Sequence, residues 1–147
     1  MLAAAHSAND VIRSLRSPLS QVPVEEANNK TYIYEQRWNR MAERSPVFET
    51  LRHAQIRAKA VLGNARADDA VEAIYKARGD FMFALEILAE IAREENPLPE
   101  QRQEMKQYRP VVFGRFNEKD ELNRSLEKAL ASLEDELSPD IRLERRK

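Results

Sequence analysis

Apolar positions recur at helical spacing almost from the first residue of this chain. Ala4, Ala8, Val11 and Leu15, with Ile12 beside them, share one face of a helix over about residues 2 to 16. Pro18 and Pro23 restrict the residues before them, so "SPLSQVP" reads as an extended connector. From near Val24, a narrow stripe of Val24, Ala27, Thr31, Tyr34, Trp38 and Met41 predicts a second helix. Ser45 and Pro46 suit a helix cap and first turn. Beyond them Val47, Leu51, Ala54, Ala58 and Val61 form a new stripe, with Phe48 and Leu62 on its flank. The two stripes are out of phase, which predicts a turn or sharp kink near Pro46 rather than one straight rod. Gly63-Asn64 is a stop signal.

The strongest pattern spans about residues 67 to 95. Val71, Ile74, Phe81, Leu85 and Leu88 lie on one line, with Ala70, Ala77, Ala84, Ile87 and Ile91 alongside. So broad an apolar face predicts contact with at least two other helices, and Asp68 and Asp69 suit the positive end of the helix dipole. "ENPLPE" ends it, and a short helix is expected from Pro99 to Tyr108. In a last helix over about 118 to 137, Leu122, Leu126, Leu130, Leu133 and Leu137 repeat at helical spacing, and the tail 138–147 is expected to fray. These elements predict an all-α fold, an antiparallel bundle of about five helices with short connectors. The whole of 1–147 is read as one domain, with residues 1–23 loosely packed against the rest.

One stretch breaks the pattern: "YRPVVFGRFNEKDELN", residues 108 to 123. Pro110 is expected to end the preceding helix, and Asn117 to cap the next with Asp120 three residues on. Phe113 and Phe116 are placed to plug the end of the bundle. The stretch reads as a hydrophobic joint; Arg109 and Arg115 are the residues through which it would bind a ligand.

Composition narrows the function classes. Lys and Arg total 24 against 25 Asp and Glu, a net charge of −1, so the basic excess usual in a dedicated nucleic-acid binder is missing. The chain has no cysteine, which removes disulfides, thiolate metal sites and a thiol nucleophile. Three isolated glycines offer no phosphate-cradling loop. His6 and His53 are the only histidines; Glu49 precedes His53 by four positions, too few ligands for a carboxylate-bridged metal pair. No run of about 18 apolar residues signals a membrane span. The expectation is a cytoplasmic, non-enzymatic domain with no catalytic residue, cofactor or metal.

Three groups of residues are candidates for a role. Tyr32, Ile33 and Trp38 lie in the aromatic cluster "TYIYEQRWNRM", where Arg37 and Arg40 stand close to the tryptophan. Apolar groups on several sides of one helix predict either burial or a partner surface. Between positions 44 and 66, Arg44, Arg52, Arg57, Lys59 and Arg66 face Glu49 alone, a stripe able to meet phosphates. The plainer reading pairs those cations with Glu86, Glu90, Glu94 and Glu95 of a neighbouring helix. Arg78 falls in the middle of an apolar stripe and is expected to be a buried charge, paired or reaching for water. The leading expectation is a bundle acting through protein–protein contacts, itself the first partner considered. One alternative is a nucleic-acid-associated regulator using Arg52, Arg57, Lys59 and Arg66. The other is a soluble sensor or accessory domain cut from a membrane-anchored protein.

Overall fold

The computed structural model describes residues 1–18, 22–63, 65–114 and 119–145. Among them are six α-helices and no strand: α1 (Leu2–Leu15), α2 (Tyr32–Glu43), α3 (Ser45–Leu62), α4 (Ala65–Ala92), α5 (Pro99–Val112) and α6 (Glu121–Arg145). The expected all-helical bundle is present, with six helices where the sequence predicts about five.

The centre of the bundle is α4, a rod of about 42 Å at the usual rise per residue. Its inward residues alternate small and large, Ala70, Val71, Ile74, Ala77, Phe81, Ala84, Leu85 and Leu88, and all are buried. Such an alternation lets helices approach closely at the alanines while the larger side chains fill the gaps between them. The helix touches each of the other five. Its N-terminal half runs antiparallel to α3, where Gln55 meets Asp68 at 2.7 Å and the Tyr75 hydroxyl donates to the Phe48 carbonyl at 2.5 Å. Its C-terminal half runs antiparallel to α2, where Glu35 meets Arg93 at 3.6 Å. Thus α2 and α3 are two pieces of one broken rod laid along α4. They separate at Arg44, which has φ −95° and ψ 9° and follows Glu43 directly. The left-handed Gly63, φ 58°, ends α3 as its sequence predicts.

Helix α1 packs antiparallel to α6, with Arg16 against Asp120 at one end and His6 against Glu134 at the other. It is not loosely held. Ala5, Ala8, Val11, Ile12 and Leu15 all belong to the hydrophobic core, because the apolar face is wide enough to meet α2, α3, α4 and α6 together.

Several boundaries differ from those the sequence predicts. Val24–Glu26 forms only a 3-10 turn, and Val24 is 89% exposed, so the second helix starts at Tyr32. The buried face of α3 is Phe48, Leu51, Ala54 and Gln55; Val61 and Ile56 point to solvent. Two prolines fail to stop their helices. The amide missing at Pro110 would bond the carbonyl of Lys106, and the one missing at Pro139 that of Asp135. Both acceptors belong to exposed residues, where a carbonyl without its donor is open to solvation and so costs little. Hence α5 continues to Val112 and α6, expected to fray from 138, continues to Arg145. Asn117, the expected cap of α6, lies outside the described residues together with Arg115 and Phe116. The helix begins at Glu121, where the Asp120 carboxylate accepts the Asn123 amide at 3.2 Å.

Candidate functional site

Two places gather unusual chemistry: a buried cluster of charges where α1, α5 and α6 meet, and an open groove between α2 and α4.

The cluster is built on Arg16, the residue after the last turn of α1, 1% exposed. Its Nη2 donates to the Asp120 carboxylate at 2.7 Å and to the Pro110 carbonyl at 3.0 Å, and its Nε to the Val111 carbonyl at 2.8 Å. The last carbonyls of a helix have no intrahelical donor and carry its negative pole; the first amides carry the positive one. Arg16 therefore answers the end of α5 while its partner Asp120 answers the start of α6. The chain just after α5 is held as well, for the Gly114 amide donates to the Arg16 carbonyl at 2.8 Å. A Cβ on Gly114 would stand 3.3 Å from Asp120 Oδ2 and 3.6 Å from Arg16 Cζ, a tight fit beside the ion pair. The described parts of the odd stretch, 108–114 and 119–123, thus meet in a joint fastened by a buried ion pair.

Arg37 does the same for α1. Its guanidinium donates to the Leu15 carbonyl at 2.9 Å, to the Ser17 carbonyl at 2.9 Å and to the Ile33 carbonyl at 2.8 Å. It also lies over the Phe113 ring at 4.8 Å, against which Tyr34 packs with ring centres 6.3 Å apart. Burial, with Arg40 nearby, lowers the Arg37 pKa from its ordinary value. Burial raises that of the Tyr34 phenol, against the opposing pull of Arg109 and Arg37. Sequence reading missed Arg16, gave Asp120 only as the acidic companion of a cap at Asn117, and noted Arg37 only as a neighbour of Trp38. A signal for Arg37 was present, since it stands three residues after Tyr34 and four before Met41, on the buried face.

The residues singled out from sequence are scattered. Arg78, expected as a buried charge, is only half-buried: it stacks on Phe48 at 4.4 Å and reaches Ser45 Oγ at 3.4 Å. Its Nε is nevertheless buried with no hydrogen-bond partner, inside the α3–α4 seam; among the described residues, the charged residues buried as a whole are Arg16, Arg37 and Asp120. On the basic stripe, Arg52 pairs with Glu72 and lies over Tyr75 at 3.8 Å, Lys59 meets Asp68 at 3.5 Å, and Arg66 meets Glu136 at 3.2 Å. The partners are acids of α4 and α6, not the Glu86–Glu95 series, because α3 covers the other half of α4. Arg57 is exposed and pairs with no acid among the described residues. His53 and Glu49 are both exposed, and no group of three metal-ligating side chains forms among the described residues.

The Arg52 bond, followed by that from Gln55, holds the Glu72 carboxyl below its ordinary value of 4.5. A lowered folded-state pKa means stability that is complete above the unfolded value and is lost as pH falls through the folded one. Glu72→Gln is therefore expected to cost less than about 1 kcal/mol at neutral pH, since the pair is exposed. The difference from the parent should vanish in acid, which urea melts at the two pH values will show.

The second place is the groove between α2 and α4, about 430 Å³, lined by Tyr34, Trp38, Leu85 and Ala89 with Glu35, Glu86, Glu90, Asn39 and Arg93 around them. Trp38 belongs to the core stripe by sequence but is 40% exposed here, for the buried position is Arg37. Tyr32 and Ile33 are half-buried. Ile33 faces a different, larger and more open depression of about 810 Å³ with Pro110 and Phe113, so the three aromatic-cluster candidates do not form one patch. No family model, curated protein or solved structure matches this chain. Among the described residues, no helix is long and apolar enough to cross a membrane.

Proposed function

We propose that this chain is a non-enzymatic interaction module, a helical bundle that binds a second polypeptide, another copy of itself or a different protein, at the α2–α4 groove. The observation that carries this reading is Trp38, the chain's one tryptophan, held 40% exposed on the wall of a groove floored by Leu85 and Ala89. Tryptophan and tyrosine beside a small apolar floor are the side chains on which binding energy concentrates at protein interfaces. The groove is built on two helices packed along most of its length, so it is formed before any partner arrives, and little ordering cost opposes binding.

Light scattering over a concentration series tests the self-association form of the reading. The expected result is a mass that rises with concentration for the parent chain and stays at the monomer value for Trp38→Ser. A parent that remains monomeric throughout removes self-association. A mass that rises equally in Trp38→Ser moves the contact away from this groove.

A further inference from the structure

We propose that the α2–α4 groove receives a basic side chain, the guanidinium of an arginine or the ammonium of a lysine, presented by a partner polypeptide next to an apolar residue. The proposal rests on the reading of the groove as an interaction site and names what enters it.

The fold shows how it handles arginine elsewhere. Arg52 lies over the ring of Tyr75 at 3.8 Å while pairing with Glu72, three residues earlier on the same helix. Arg37 lies over Phe113 at 4.8 Å and Arg78 over Phe48 at 4.4 Å. A guanidinium placed against an aromatic face is thus a repeated contact in this molecule, with a carboxylate at its edge for Arg52, carbonyls for Arg37 and the Ser45 hydroxyl for Arg78. It is favourable because the ring face and the acceptor both carry negative potential.

The groove repeats the receiving half of that contact. Trp38 supplies the ring with the strongest attraction for cations. Glu86 and Glu90 stand one helical turn apart on α4, on the same wall, and both are exposed. Neither pairs with a basic side chain among the described residues. Arg93, at the rim, is held by Glu35 at 3.6 Å, so the third acid is already answered. The net charge left facing the groove is negative and its floor is apolar. A cation alone would use the carboxylates and the ring; an apolar neighbour on the partner chain would cover Leu85 and Ala89. That pairing is what a polypeptide offers and a simple inorganic cation does not.

Because Trp38 is the one tryptophan, its emission reports the groove without a label. The full chain is titrated with the peptide acetyl-Leu-Arg-Leu-amide, with its citrulline counterpart, which keeps the shape and loses the charge, and with methylguanidinium. The expected result is a saturable change with the arginine peptide that weakens as salt is added. The citrulline peptide should bind about tenfold more weakly, and Glu86→Gln/Glu90→Gln should weaken the arginine peptide by about the same factor. Circular dichroism of the variant guards against misfolding, and binding of the citrulline peptide should be the same in parent and variant. Equal binding of the arginine and citrulline peptides overturns the proposal while leaving a groove that takes polypeptides. Methylguanidinium binding as tightly as the arginine peptide overturns the polypeptide partner. No change in Trp38 emission with any probe overturns it altogether, and the light-scattering series then decides alone whether the groove is an interface.

Discussion

Asp120→Ala is expected to remove about 3–5 kcal/mol of folding stability, a large part of the 5–15 kcal/mol typical of a domain. The substitution strands a guanidinium that is 1% exposed and leaves the first turn of α6 without the acceptor of its Asn123 amide. Asp120→Asn keeps an acceptor in place and removes only the charge, so it should cost less than the alanine. Replacing both partners of a buried ion pair with apolar residues is often neutral, because the desolvation cost disappears with the charges. Here it should not be. Arg16 also answers the Pro110 and Val111 carbonyls at 3.0 and 2.8 Å, and those acceptors would stay part-buried and unpaired in Arg16→Met/Asp120→Leu. Urea denaturation of the single and double variants measures all of this. A cost for Asp120→Ala below about 1 kcal/mol, the range of an exposed pair, would show that the joint is looser than its geometry indicates.

That joint also shows where sequence reading stops. The long apolar faces of α4 and α6 are legible because one period repeats over several turns, and a helix with such a face has few other ways to bury it. The break between α2 and α3 is legible because a shift of phase coincides with Ser45-Pro46. The reach of α5 past Pro110 is not, since it depends on which side of the helix meets water. Nor is the role of Arg16: nothing in "RSLRSP" says that the carbonyls of residues 110 and 111 will arrive beside it from the far end of the chain. Val24 misleads for a simpler reason. An apolar residue in a connector extends a neighbouring stripe by chance, and here it shifted the expected start of α2 by two turns and drew Trp38 inward. The groove was out of reach for another reason. Only the packing of α2 along α4 brings Trp38 to Glu86 and Glu90, and no local pattern records that packing.

Arg37 and Trp38 make the sharpest test, because hydrophobicity ranks them in one order and the structure in the other. Arg37→Ala is expected to destabilise the fold by about 3–5 kcal/mol, since it leaves buried acceptors without their charged donor. Two of them, the Leu15 and Ser17 carbonyls, lie at the end of α1 and just beyond it, so the loss should loosen the contact between α1 and α2 in particular. The ring of Phe113 would lose its stacked cation as well. Arg37→Lys keeps the charge but offers no planar fork to reach three carbonyls at once, so it should recover only part of the loss. Trp38→Ser removes the larger and more apolar side chain, yet it should cost about 1 kcal/mol or less, for the ring packs from one side and much of it already faces water. Hydrogen exchange on the two variants separates the effects: Arg37→Ala should expose the last-turn amides of α1, and Trp38→Ser should leave them protected. If Trp38→Ser proved the more damaging of the two, the tryptophan would belong to the core, and the groove it lines could not serve as a binding surface.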